Sequence, residues 1–218
     1  AKTFKLFSFV EWCLWNAQDD STNFQRNFNT GEVEIVDSTI FHKTEYKERR
    51  NHFAFYTVND TIDGYDTDRE SFLGLYNGFE NPQVVAAGKA SNSVADGWSP
   101  IASPYKEITL QPGESKELIF VLGRKTSAEA DEILHTYETA GKVDAEVAAL
   151  KQFWHEKLNH FSVETPSEAF NNMINVWNAY QCFITFIWSR AASFIYCGLR
   201  NGYGYRDTVQ DIQGVIHL

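Results

Sequence analysis

The residue types best suited to chemistry are concentrated in residues 190–211. This segment holds three arginines, three glycines, three tyrosines and two aspartates. Arginine donates to hydroxyl oxygens, aspartate accepts from neighbouring hydroxyls, and a tyrosine ring can stack on the apolar face of a sugar, so the combination favours a carbohydrate site. Because Gly198, Gly202 and Gly204 would interrupt a helix, we predict a loop that leads into a helix beginning near Asp207.

The same segment also has a purely structural interpretation. Asp207 could cap the helix, and Arg200 and Arg206 could pair with Asp207 and Asp211 as an ion network. A dinucleotide site is disfavoured, because the Gly-x-Gly at residues 202–204 lacks a third glycine and follows a helix rather than a strand.

Histidines and cysteines are not spaced as a metal site requires. The six histidines form no HxH or HExxH pattern, and Cys13, Cys182 and Cys197 form no CxxC pair. We therefore expect no metal ion, and three free thiols in a reducing, cytoplasmic compartment.

The first 124 residues must supply a scaffold, and their pattern is typical of short strands without helices between them. We predict strands over residues 4–12, 53–58 and 71–76, which alternate or are rich in aromatic and β-branched residues. Residues 108–110 and 118–122 are predicted to pair through a turn at Pro112-Gly113. The expected architecture is an antiparallel β-sandwich.

After residue 124 the apolar spacing changes to that of helices. Residues 127–140 and 143–161 are predicted amphipathic helices. Residues 165–168, Thr-Pro-Ser-Glu, predict a capping box with Pro166 at the first helical position, and a helix to about Trp188. We predict three regions: a sandwich at 1–124, a helical linker at 125–162, and the start of an all-helical domain at 163–218.

Composition limits the classes of partner. The 19 basic and 29 acidic residues give a net charge of −10, and neither short basic cluster makes a cationic face, so nucleic acid is not an expected partner. The apolar stretches are far shorter than a membrane span. No cleavable leader is recognisable, and both ends fall inside predicted elements, so we expect an internal fragment of a longer protein.

Several long motifs resemble the β-sandwich domain of the cellobiose phosphorylases of glycoside hydrolase family 94. The resemblance covers essentially the whole chain and is carried by residues 8–17, 23–34, 42–52, 68–78 and 92–98. Residues 188–211 resemble the family's first substrate-binding loop. The resemblance implies the later part of an N-terminal sandwich, a helical linker and the first helices of an (α/α)6 barrel.

The activity implied by the resemblance is reversible, inverting phosphorolysis of a β-linked glucosyl disaccharide, with cellobiose favoured, to α-glucose 1-phosphate and a sugar. Inorganic phosphate is the co-substrate and no other cofactor is implied. The family's general acid is a downstream aspartate, so the chain alone is expected to be inactive. Carried over by motif, Arg190, Arg200 and Asp207 are expected to hold hydroxyls of the donor sugar.

The substrate loop departs from the usual cellobiose phosphorylase pattern. It is one residue longer, and Thr208-Val209 follow its Arg-Asp pair. This loop looks more like those of cellodextrin, laminaribiose or chitobiose phosphorylases, which remain alternatives. The family also implies a homodimer in which the sandwich walls the partner's active site, and a non-catalytic carbohydrate-binding or interface module is the alternative outside catalysis.

Overall fold

The computed structural model describes residues 1–12, 31–46, 49–97, 99–124, 127–187 and 205–218. In these ranges, β-strands occupy the first part of the chain and helices the last part. The predicted antiparallel β-sandwich followed by helices is confirmed.

The first sheet is organised around one long strand. This strand, β7 (Pro100–Leu110), is antiparallel to β1 (Lys2–Phe7) and β2 (Val10–Glu11) along one edge and to β6 (Gly64–Asp68) along the other. Between β1 and β2, Ser8 N–H donates to the Pro104 carbonyl at 3.2 Å. This bond continues the ladder that both strands form with β7. The strand prediction over residues 4–12 is therefore confirmed, with a break at Ser8 and Phe9.

The second sheet has the order β3-β4-β5-β8, and every neighbouring pair is antiparallel. Its strands are β3 (Gly31–Val36), β4 (Thr39–Tyr46), β5 (Arg49–Val58) and β8 (Phe120–Gly123). The predicted strand at 53–58 is the second half of β5. A buried apolar cluster lies between the two sheets. Its members on the side of the first sheet are Trp12 and Ala102, and those on the second are Ile40, Ala54 and Tyr56.

The predicted strand at 71–76 is wrong. Residues 71–73 are the end of helix α1 (Arg69–Leu73), residues 74–76 lie in the turn after it, and the short helix α2 (Gln83–Ala87) follows. Asp68 caps α1 by accepting from Ser71 N–H at 3.0 Å, and Phe72 is buried with Ile101 on the outer face of the first sheet. A side-chain cap and one buried helical face therefore outweigh the aromatic, strand-like composition.

The predicted pairing of residues 108–110 with 118–122 is also wrong. The turn itself forms, because Glu114 N–H donates to the Gln111 carbonyl at 3.0 Å and Gly113 has φ +82°. The chain then crosses to the other sheet, where β8 pairs with β5 instead of β7. The Pro-Gly turn fixes a reversal of the chain, and the non-local ladder with β5 decides the partner.

The predicted helices after residue 124 are confirmed with adjusted ends. They are α3 (Ser127–Tyr137) and α4 (Ala140–Leu158). A further helical stretch comprises α5 (Glu168–Asn172), a π-helical segment (Met173–Asn178) and α6 (Ala179–Ile187). The last helix is α7 (Tyr205–Gln213), so a helix beginning near Asp207 is confirmed.

The start of α5 differs from the predicted capping box. Ser167 is the N-cap and its hydroxyl accepts from Phe170 N–H at 3.4 Å, so Pro166 lies before the helix instead of at its first position. Thr165 bonds to Asn171 Oδ1 at 2.7 Å and accepts from Ser167 N–H at 3.2 Å. The threonine therefore orders the turn that leads into the helix.

The chain divides into two compact units, residues 1–143 and 144–218. The first contains both sheets and α3, and the second contains α5 to α7. The predicted region boundaries after residues 124 and 162 remain predictions.

Candidate functional site

Asp207 lies in the first turn of α7, and its side chain is 21% exposed. The helix begins at Tyr205, so Asp207 is inside the helix and is not its N-cap residue. Arg206 Nη2 lies 3.6 Å from Asp207 Oδ1, and the Arg206 side chain is 80% exposed. The Asp207 carboxylate is therefore only partly exposed and has a guanidinium beside it.

The other two predicted sugar-binding residues, Arg190 and Arg200, lie outside the described residues. Their proximity to Asp207 is a prediction, and so is an ion pair between Arg200 and either aspartate. Asp211 is four residues after Asp207 and therefore shares its side of α7.

A very close approach between two helices of the second unit fixes the end of α7. A Cβ added to Gly214, just after α7, would lie 2.7 Å from Cys182 Cβ on α6 and closer still to its sulfur. Cys182 is a free thiol, and its pKa is raised by burial and, secondarily, by Asp211. This contact fixes how closely the end of α7, the helix that carries Asp207, can approach α6.

The end of α4 and the turn after it contact the segment that follows α7. Lys157 Nζ donates to the Leu218 carbonyl at 3.1 Å, and His160 Nδ1 lies 3.1 Å from the His217 carbonyl. The Phe161 and His217 rings are 5.5 Å apart. The helix carrying Asp207 is thus fixed at its far end by two other helices.

A second concave feature lies on the first unit, where the sequence pattern indicated only a strand. A pocket of about 430 Å³ is formed by the start of α1, the turn after it and Ser99. The Tyr76 side chain at its edge is fully exposed, and its residue has φ +61°. The pocket was missed because Ser99 is more than twenty residues from the other lining residues, and spacing along the chain does not reveal their meeting.

The charged groups of this pocket are partly committed to structure. Asp68 caps α1, and Arg69 Nε donates to Glu11 Oε1 at 2.6 Å while its guanidinium lies 5.5 Å from the centre of the Phe79 ring. Glu70 is exposed at the start of α1. The pocket therefore offers the oriented guanidinium of Arg69, the carboxylate of Glu70 and the aromatic ring of Tyr76.

The described residues hold neither a metal-type cluster nor a helix that could span a membrane. Among the residues that the structure describes, no three His, Cys, Asp or Glu side chains lie together as a metal site would need. In the same part of the chain, no helix is both long and apolar enough to cross a membrane.

Two family profiles match the chain in succession. The profile "Glycosyl hydrolase 94, supersandwich domain" matches residues 1–140, and "Glycosyl hydrolase 94 superfamily, catalytic domain" matches residues 153–218. The first match alone covers more than half of the chain.

Curated relatives agree with these profiles. The chain is 35% identical to N,N'-diacetylchitobiose phosphorylase of Vibrio proteolyticus over 99% of its length, which is 27% of that protein. It is 34% identical to the enzyme of the same name from Vibrio furnissii, again over 99% of the chain and 27% of the relative. Solabiose phosphorylase of Paenibacillus borealis is 26% identical over 97% of the chain and 26% of its own length. The chain thus spans about a quarter of each of these relatives.

Proposed function

Because the chain belongs to glycosyl hydrolase family 94, we propose that it serves in the phosphorolysis of a β-linked disaccharide to a sugar 1-phosphate and a free sugar. The observation that carries the proposal is the order of the two family matches, a supersandwich domain followed by the beginning of a catalytic domain. The catalytic match over residues 153–218 supports an enzyme over a non-catalytic sugar-binding module.

The proposed reaction inverts the anomeric centre. A phosphate oxygen attacks C1 of the donor sugar, the bond from C1 to the bridging oxygen breaks, and that oxygen takes a proton from a general acid. Since phosphate is already a nucleophile, no second carboxylate is needed to activate water, unlike in an inverting hydrolase. We place the general acid and the phosphate-binding residues outside this chain, so residues 1–218 alone are expected to be inactive.

Asp207, Arg190 and Arg200 are proposed to hold hydroxyls of the donor sugar. Asp207 is supported by its place in the first turn of α7, where its side chain is 21% exposed and so remains open to a ligand. Hydrogen bonds from sugar hydroxyls to this carboxylate would strengthen as the ring becomes positively charged in the transition state. Such bonds raise the rate because they stabilise the transition state more than the bound substrate.

Two disaccharides are the first candidates. Cellobiose follows from the motifs of the sheet region, and N,N'-diacetylchitobiose follows from the names of the two relatives that are 35% and 34% identical. Laminaribiose and cellodextrins remain alternatives. They differ from the first pair in linkage or length, so one panel of substrates separates all four.

The test uses the full-length natural protein. It is incubated with each disaccharide in the presence and absence of inorganic phosphate, and products are followed by NMR. We expect an α-sugar 1-phosphate with one of the candidates, and no cleavage when phosphate is left out. Cleavage that does not need phosphate, or a β-sugar 1-phosphate product, would contradict the proposed reaction.

A further inference from the structure

The pocket beside α1 lies over a packed apolar cluster. Phe72 and Leu73 of α1 are buried against Val84 and Ile101 in one apolar cluster. Gly74 ends the helix with φ +89°, a backbone conformation that residues with a side chain rarely adopt. The pocket has a volume of about 430 Å³, which is within the usual range for small-ligand sites.

A second set of hydrogen bonds holds the strand that leads into the pocket. Asp66 is buried, and its carboxylate accepts from the backbone N–H groups of Ser91 and Ser93, both at 3.1 Å. Thr67 accepts from Ala95 N–H at 2.9 Å and donates to the Ser93 carbonyl at 3.1 Å. These bonds fix the end of β6, so Asp68 and the first turn of α1 are held in place.

The groups facing the pocket suit a sugar ring. The Tyr76 ring is fully exposed and can stack on the apolar face of a pyranose. The Glu70 carboxylate accepts hydrogen bonds from hydroxyls, and the Asn77 amide both donates and accepts. Arg69 keeps further N–H donors after its bond to Glu11, because a guanidinium carries five.

The charge of the pocket selects against anions. Asp68 and Glu70 line it with Arg69 as the cation, and Arg69 is paired with Glu11. A phosphate or carboxylate ligand would meet an excess of negative charge. A neutral polyhydroxyl ligand avoids this repulsion and can still bond to the carboxylate.

We propose that this pocket binds a neutral saccharide, with one pyranose ring stacked on Tyr76 and its hydroxyls bonded to Glu70 and Asn77. The site lies in the first unit, whereas Asp207 belongs to the second. Binding at this pocket rests on residues of the first unit alone and does not depend on the role of Asp207.

The test places a spectroscopic probe in the pocket. Full-length protein is labelled with fluorotyrosine, and the Tyr76→Phe variant identifies the Tyr76 signal by its loss. Cellobiose, N,N'-diacetylchitobiose and inorganic phosphate are then titrated separately. We expect the Tyr76 signal to shift saturably with a disaccharide and to stay unmoved with phosphate.

Matched variants separate the pocket from the rest of the surface. Glu70→Ala is expected to weaken the sugar affinity reported by Tyr76 about tenfold, because it removes a hydrogen bond to a charged acceptor. Glu80→Ala, which removes an exposed carboxylate that does not line the pocket, is expected to leave it unchanged.

Three outcomes would overturn the saccharide site: a Tyr76 signal unmoved up to the solubility limit of both sugars, an equal shift with phosphate, or equal weakening by Glu70→Ala and Glu80→Ala. Phosphorolysis measured on the same protein separates the two proposals. Intact activity with an unmoved Tyr76 signal overturns the pocket alone, and a shifting signal without activity overturns the proposed reaction alone.

Discussion

His42 is the ionisable residue most affected by the fold. It lies on β4 between Val33 and Ala54 of the neighbouring strands, is 1% exposed, and stacks on Trp12 with ring centres 5.6 Å apart. Within the described residues, neither ring nitrogen has a partner in hydrogen-bond geometry. Burial lowers the pKa of His42 from 6.5 to about 4, and a weaker backbone interaction with Glu32 acts in the opposite direction.

This pKa makes the stability of the sheet unit depend on pH. The unfolded chain takes up a proton at His42 below about pH 6.5, whereas the folded chain resists it until about pH 4. The contribution of neutral, buried His42 to the free energy of unfolding is therefore complete above pH 6.5. It is lost as the pH falls toward 4. It amounts to at most about 3 kcal/mol. Urea unfolding at pH 7 and pH 5, followed by fluorescence, measures the difference.

Two variants isolate the His42 contribution. His42→Leu replaces the titratable ring on β4 with an apolar side chain that cannot take up a proton. It should therefore reduce the loss of stability between pH 7 and pH 5. His155→Gln, at an exposed position on α4, should leave that loss as large as in the parent protein. An unchanged pH dependence in His42→Leu would show that other groups cause it.

At the scale of elements, repeating patterns in the sequence were enough to predict β1, β5, α3 and α4. The strand prediction for residues 71–76 was wrong because their aromatic composition suits a strand. The helix-capping residue, Asp68, lies before the segment. The partner of β8 could not be predicted, because a Pro-Gly turn specifies a reversal and the ladder with β5 is a long-range contact.

The candidate site was predictable only in part. A glycine-rich loop before a helix near Asp207 was visible in the sequence, and α7 begins at Tyr205. The close contact between Gly214 and Cys182 was not visible, because the two residues are far apart in the chain and neither forms a motif. Arg190 and Arg200 still rest on the family resemblance.

The contact between α6 and the end of α7 leads to a prediction for Gly214→Ala. The added methyl would meet Cys182, and overpacking of this kind costs about 1–3 kcal/mol, here by displacing α7 and with it Asp207. We expect kcat/KM of the full-length enzyme to fall by about tenfold or more. Steady-state kinetics with the preferred disaccharide provide the measurement.

Gly141 supplies the control, because it lies in α4 and a Cβ there would have nothing within 4 Å. Gly141→Ala should leave kcat/KM unchanged. Adding Cys182→Ala to Gly214→Ala removes the sulfur from the contact and should restore part of the activity. A Gly214→Ala enzyme with parental kcat/KM would show that this contact does not position α7.

At the scale of the whole molecule, the chain carries a supersandwich match followed by a catalytic-domain match. It spans 27% of the chitobiose phosphorylases that it resembles, so activity, substrate and assembly belong to proposals about the full-length protein. A homodimer in which the sheet unit walls the neighbouring active site, and a cytoplasmic location, remain predictions of the family resemblance.

The net charge of −10 also has a meaning at this scale. The absence of a nucleic-acid partner remains a prediction from this charge, while the segment at 190–211 holds three arginines against two aspartates. The predicted sugar loop is therefore more basic than the chain as a whole.

The most direct test of the central claim is kcat/KM for phosphorolysis by the full-length protein carrying Asp207→Ala. Loss of charge-assisted hydrogen bonds to the reacting sugar should cost about 3 kcal/mol or more of transition-state stabilisation, which is a decrease in kcat/KM of more than about 100-fold. Gln210→Ala, at an exposed position on the same helix, should retain parental activity. An Asp207→Ala enzyme with unchanged kcat/KM would contradict the assignment of Asp207 to the donor-sugar site.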